Sequence, residues 1–209
     1  MNLLVLVFGV MLLHEAYTLK CYECVPRFQG NCTDKMIECP IQGQQCGAVT
    51  IRYIAGILQT ESYMKSCFSA DQCIEGSVNY DGSRTVITSK CCTTDLCNTE
   101  FAPTAPSTSV PNGRKCFGCI GFKKCTSTVN CQGTEDHCIS ASAEIGDTPM
   151  FSKGCASKQI CTNHPKMIEH LGVDISCCQG DLCNSASTLR AGLQLLLLLV
   201  PLLTSVMLC

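Results

Sequence analysis

The residues with the greatest chemical capacity in this 209-residue chain are its 21 cysteines. As free thiols, the Cys-x-x-Cys pairs Cys21/Cys24 and Cys116/Cys119 would suit a redox couple or half a zinc site. Three histidines, His137, His164 and His170, follow the leader region. The sequence holds no Gly-x-Ser-x-Gly elbow, His-Glu-x-x-His helix or phosphate-cradling glycine loop. Cysteine at this density marks an oxidised, secretory framework, and paired sulfurs cannot bind metal. The expectation is a non-enzyme with no cofactor and no metal.

The elements that must position the cysteines come in duplicate. Cys91-Cys92-Thr93-Thr94-Asp95-Leu96-Cys97-Asn98 returns as Cys177-Cys178-Gln179-Gly180-Asp181-Leu182-Cys183-Asn184. Steps between successive cysteines run 3, 8, 7, 7, 21, 6, 18, 1, 5 and then 3, 6, 6, 7, 17, 6, 16, 1, 5. Five of the nine agree, and the mismatches fall in the longer gaps, where loops vary. One module is written twice, each copy roughly 70 to 80 residues long, a size that buries little core and needs covalent staples. A bridge typically stabilises by about 2–4 kcal/mol. The net charge of −2 argues against nucleic acid as a partner. The cluster Arg114, Lys115, Lys123 and Lys124 reads as solvated surface.

Residues 1–18 read as a signal peptide: residues 2–13 form an apolar run too short to span a membrane comfortably. Ala16 and Thr18 suit a cleavage site that starts the mature chain at Leu19, with cleavage after Ala16 as the alternative. The first module covers 19–98. Between Cys46 and Cys67, β-branched and aromatic residues flank a turn at Ala55-Gly56, predicting a long hairpin. Val49, Ile51 and Tyr53 should share one face, with Thr50 and Arg52 on the other. Apolar Ile54, Ile57 and Leu58 at its tip are candidate ligand contacts. Asp81-Gly82 predicts a second hairpin. Asn31-Cys32-Thr33 is a glycosylation sequon at Asn31 whose middle residue is a cysteine expected in a bridge.

Residues 99–113 are rich in Pro, Ser and Thr and read as a linker. The second module covers 114–184. Its middle hairpin, Ile139 to Gly154, turns at Gly146-Asp147-Thr148-Pro149, and Pro165 to Gly172 suits a short helix with Pro at its start. Residues 185–209 are small residues, a short spacer and an apolar tail, the pattern of a glycosylphosphatidylinositol-anchor signal. Asn184 or Ser185 is then the attachment residue. Removal of the tail would discard Cys209 and leave an even number of cysteines. A spanning helix is the competing reading, disfavoured by Pro201.

Two ten-cysteine modules that open with Cys-x-x-Cys and close with Cys-Cys-x-x-Asp-Leu-Cys-Asn resemble the lymphocyte-antigen-6 / urokinase-receptor (LU) family, over residues 19–98 and 114–184. The resemblance implies a small disulfide-rich all-β chain of two tandem three-finger, snake-toxin-like domains. It implies the pairs Cys21–Cys46, Cys24–Cys32, Cys39–Cys67, Cys73–Cys91 and Cys92–Cys97. In the second module it implies Cys116–Cys138, Cys119–Cys125, Cys131–Cys155, Cys161–Cys177 and Cys178–Cys183. Asn98 and Asn184 would close each knot by hydrogen bonding to backbone.

The function implied is a cell-surface binding protein, lipid-anchored on the extracellular face. It would engage an extracellular protein through its β-fingers, in adhesion, signalling or immune modulation. The alternative is a secreted protein similar to the gamma-type phospholipase inhibitors. A redox or zinc protein built on the two Cys-x-x-Cys pairs is a distant third.

Overall fold

The computed structural model describes residues 18–25, 33–103, 110–121, 125–146, 148–168 and 173–185. In the first repeat, strands β1 (Lys20–Glu23), β2 (Lys35–Glu38), β3 (Gln45–Ala55), β4 (Leu58–Phe68), β5 (Gly76–Tyr80) and β6 (Ser83–Cys92) follow one another. The second contributes β7 (Pro111–Phe117), β8 (Cys119–Gly121), β9 (Thr128–Gln132), β10 (His137–Ile145), β11 (Thr148–Ala156), helix α1 (Lys158–Ile168) and β12 (Val173–Cys178). These are tandem three-finger domains, almost entirely β. The leader up to residue 17, Asn31, Cys32, Lys123, Lys124, His170, the linker residues 104–109 and the tail from 186 lie outside the described residues.

Contacts gather the chain into two compact units that cut across the repeats. One takes Met1–Ile51, Glu61–Cys73 and Thr88–Thr104; the other takes Arg52–Thr60, Ile74–Ile87 and Ala105–Cys209.

In the first unit β1 and β2 pair antiparallel, from Lys20↔Glu38 to Glu23↔Lys35. Its core is largely sulfur: Cys21, Cys39 and Cys46 are buried, with Leu19, Ile37, Cys67, Cys92 and Cys97 packed against them. The predicted alternation along β3 does not hold. Ala48, Val49 and Thr50 are all buried, whereas Tyr53 is exposed. Chain beyond the knot covers the second face: the Thr50 hydroxyl donates to Ala102 O at 2.7 Å, and Ala102 is itself buried. A threonine can occupy a covered face when its hydroxyl finds a carbonyl. The Pro/Ser/Thr stretch thus begins with packed residues, and the Thr88 hydroxyl donates to Pro103 O at 2.9 Å.

In the second unit the strand order is β12–β10–β11–β5–β6, with β8 also on β11. Ile74, Val78, Ile139, Ala156 and Ile160 form its apolar core. A second cluster holds Cys116, Cys131, Cys138 and Cys155. β5 and β6 turn at Asp81-Gly82, with Tyr80 opposite Ser83 and Gly82 at φ +88°, a conformation glycine adopts at little cost. The β10–β11 turn is shorter than predicted: Ile145 pairs with Thr148, so Thr148 and Pro149 already belong to β11.

The helix also departs from expectation. It starts at Lys158, and Pro165 lies inside it rather than at its first position. Burial explains the earlier start. Ile160 is 2% exposed within the apolar core, and Cys161 is bonded to Cys177, so the first turn is anchored before Pro165 is reached.

Candidate functional site

Nine disulfides have both partners described. In the first repeat they are Cys21–Cys46, Cys39–Cys67, Cys73–Cys91 and Cys92–Cys97. In the second they are Cys116–Cys138, Cys119–Cys125, Cys131–Cys155, Cys161–Cys177 and Cys178–Cys183. Cys24 is disulfide-bonded as well, and its expected partner Cys32 lies outside the described residues. Neither Cys-x-x-Cys retains a thiol pair. Cys21, Cys39 and Cys67 converge, as do Cys116, Cys131 and Cys155. Both groups are neighbouring bridges stacked together, with Cys21 Sγ 3.3 Å from Cys39 Sγ and Cys116 Sγ 3.4 Å from Cys131 Sγ. A sulfur already in a bridge offers no thiolate to a metal.

The closing asparagines act on strands far away in sequence. Asn98 Oδ1 accepts from Tyr22 N at 2.9 Å, while its Nδ2 donates to Tyr22 O at 2.8 Å and Gly47 O at 3.0 Å. Asn184 repeats this: Oδ1 accepts from Phe117 N at 2.9 Å, and Nδ2 donates to Phe117 O and Ile139 O, both at 3.0 Å. One amide has both a donor and an acceptor end, so it can splice into a strand edge as a peptide group would.

Three further pairs of residues share this work: Asp95 with Asp181 and Leu96 with Leu182, which stand in the closing motif with no role read for them, and Lys65 with Lys153, which lie outside it. Lys20 N donates to Asp95 Oδ1 at 2.9 Å and Lys115 N to Asp181 Oδ1 at 3.2 Å. The leucines that follow, Leu96 and Leu182, sit at φ +54° and +56° and donate their N–H to Lys20 O and Lys115 O. Lys65 is 3% exposed, and its Nζ lies 2.8 Å from Asp34 Oδ2, donates to Thr99 O at 2.7 Å and stands 4.6 Å from the Phe101 ring centre. Its counterpart Lys153 donates to Asn184 O at 2.5 Å, and burial pushes its amine below the ordinary lysine value. The available signal is a lysine two residues before the sixth cysteine of each module, at Lys65-Ser66-Cys67 and Lys153-Gly154-Cys155.

The tip of the β3–β4 hairpin places two exposed apolar residues side by side. Ile57 is wholly exposed and Leu58 is 55% exposed, with Gly56 turning the chain at φ +58°. Ile54 behaves differently: it is half-buried and, with Gly56, Tyr80, Arg84, Val129 and Asn130, lines a cleft of about 460 Å³. Burial pushes the Tyr80 phenol above its ordinary value, an effect partly offset by a hydrogen bond with Ser152. Beneath the cleft, Arg84 Nε meets Glu135 Oε1 at 2.7 Å.

His137 Nδ1 lies 2.8 Å from Asp136 Oδ1. Burial raises the Asp136 carboxyl, but His137 beside it together with backbone hydrogen bonds at Asp136 and Lys158 outweighs that and holds the group below its usual value. Among the described residues no helix is long and apolar enough to cross a membrane.

A u-PAR/Ly-6 domain profile matches residues 17–100, and a snake toxin and toxin-like protein profile matches residues 115–184. The urokinase plasminogen activator surface receptor of Mus musculus is 28% identical over 80% of this chain and 55% of the receptor. A gamma-type phospholipase A2 inhibitor of Elaphe quadrivirgata is 31% identical over 76% of this chain and 86% of the inhibitor. Ly6/PLAUR domain-containing protein 3 of Mus musculus is 24% identical over 86% of this chain and 57% of that protein. The chain spans about half the length of the receptors it matches. With a pair of closing motifs that splice strands by the same geometry, and relatives of this similarity, the chain belongs to the u-PAR/Ly-6 family of three-finger-domain proteins.

Proposed function

We propose that this protein is a cell-surface binding protein without catalytic activity, held on the outer leaflet by a glycosylphosphatidylinositol anchor. It engages an extracellular protein through its β-hairpins. The observation that carries the reading is the β3–β4 tip. Ile57 and Leu58 offer apolar surface to solvent beside a cleft that Ile54 helps to line. Fully exposed branched residues add nothing to a core, whereas burial against a partner gains roughly 1.5–3 kcal/mol per side chain. The apolar tail from Leu193 to Cys209 supports the anchor, with Asn184 or Ser185 as the attachment residue.

Phosphatidylinositol-specific phospholipase C should release the protein from cells that display it; retention would refute the anchor. Ile57→Asp with Leu58→Asp should abolish capture of the cell-surface partner and leave the unfolding midpoint unchanged. Undiminished capture would remove the tip from the binding surface.

A secreted inhibitor of the gamma type is the second reading. It is favoured by the match to the Elaphe quadrivirgata inhibitor over 86% of its length, against 55% for the mouse receptor. Inhibition of a secreted phospholipase A2 by the purified protein, at stoichiometric concentration, would establish it over the first.

A further inference from the structure

The third hairpin of the first repeat does not stand free. Its strand β5 pairs antiparallel with β11 of the second repeat, through Tyr80↔Gly154, Asn79↔Cys155 and Val78↔Ala156. The pairing continues past the strand end. Ser157 N donates to Ser77 O at 2.9 Å, Ser77 N donates to Ser157 Oγ at 3.0 Å, and Glu75 N donates to Gln159 Oε1 at 2.7 Å. Ile74 and Val78 share one apolar core with Ile139, Ala156 and Ile160. Gly154 permits the approach, because a Cβ there would overlap the Asn79 carbonyl oxygen.

At the centre is Glu135, 0% exposed. It belongs to the second repeat, yet three of its partners come from the hairpin. It accepts from Ser77 Oγ at 2.6 Å, Asn79 Nδ2 at 3.3 Å and Arg84 Nε at 2.7 Å, and from its own repeat's Gln132 N at 2.8 Å. Arg84 Nη2 also donates to Ser77 Oγ at 3.0 Å. A buried carboxylate is tolerated only when it is paired and hydrogen-bonded. Removing the hairpin would strip Glu135 of its cation and two further donors and would bare Ile74 and Val78. The same groups act against any shifted pairing of β5 on β11, since a slip of one residue turns Ser77 and Asn79 away from the carboxylate.

We propose that Glu135 is a positioning residue that locks hairpin β5–β6 onto the second repeat in one register. Strand β5 thereby lies between β11 and β6 with neither edge open to a further strand, while the turn at Asp81-Gly82 stays exposed and borders the cleft that Ile54 helps to line. The lock holds whatever the partner is.

Hydrogen–deuterium exchange on the full chain, purified with its disulfides intact, tests it. Glu135→Ala should speed exchange of the amides at 74–80 and 154–157 by about tenfold or more, as expected for loss of hydrogen bonds to a buried charge. Amides of the first knot, such as Tyr22 and Gly47, should be unchanged. Glu135→Gln keeps an acceptor for Ser77 and should restore part of the protection. Ser77→Ala deletes two bonds, the one to Glu135 and the one from Arg84 Nη2, leaves the Arg84 Nε–Glu135 ion pair in place and should raise exchange in the same amides by a few-fold, which keeps the test open should Glu135→Ala fail to fold. Unchanged exchange at 74–80 in Ser77→Ala, or equal acceleration across both repeats, would overturn the proposal.

Discussion

Replacing Asn98 by Ala deletes one side chain that serves three backbone groups. Tyr22 N, Tyr22 O and Gly47 O lie 2.9, 2.8 and 3.0 Å from its amide, and Asn98 is 3% exposed. Alanine can answer none of them. A buried backbone group left unpaired costs about 1–3 kcal/mol. With partial relaxation at one of the three, the expected loss is about 3–6 kcal/mol, a large part of the ~5–15 kcal/mol that stabilises a typical domain. The Cys92–Cys97 bridge is present in both proteins and restrains the unfolded chain equally, so the difference arises in the folded state. The assay is guanidinium unfolding with the bridges intact, followed by far-ultraviolet circular dichroism because the chain has no Trp. Lys90→Ala is the control: its pair with Glu100 is 3.9 Å long with both side chains largely exposed, and such pairs contribute roughly 0–1 kcal/mol. Asn184→Ala should behave like Asn98→Ala, because its three contacts are the same in kind. If Asn98→Ala lost no more than Lys90→Ala, the asparagine would not be closing the knot.

Lys65→Met keeps the apolar stem but removes the ammonium from Asp34 and Thr99 O, so stability should fall by about 1–3 kcal/mol and residues 99–103 should become sensitive to protease. Tyr80 gives a pH signature. Burial raises its folded pKa, so the neutral phenol is favoured in the fold; its contribution is complete below the ordinary value near 10 and is lost as pH climbs from there towards the raised value. The urea midpoint of the wild type should therefore fall more steeply above about pH 10 than that of Tyr80→Phe. Parallel curves would contradict the burial of that phenol. Gly154→Ala should loosen amides 74–80 as Glu135→Ala does, because its Cβ would meet the Asn79 carbonyl; normal protection there would show that β5 does not approach β11 so closely.

The duplicated cysteine spacing, the Asp81-Gly82 turn and the terminal Asn98 and Asn184 are legible because each is a local or repeating pattern. Bridge chemistry requires the cysteines to converge, the family likeness implies in which pairs, and a two-residue turn answers to the residues within it. A three-finger class follows from those signals together with the family likeness. Other features need the folded chain. Alternation alone turns Thr50 outward on β3, but Ala102 supplies its acceptor; Pro165 suits a helix start, but Ile160 anchors the turn before it. Arg84 and Glu135 lie 51 positions apart, with nothing in either neighbourhood to announce the other. Local sequence sets turns, strand alternation and cross-link candidates because those depend on near neighbours. Which face is covered, and which buried charge meets which, depends on the segment that arrives from far along the chain, and only the tertiary structure decides that.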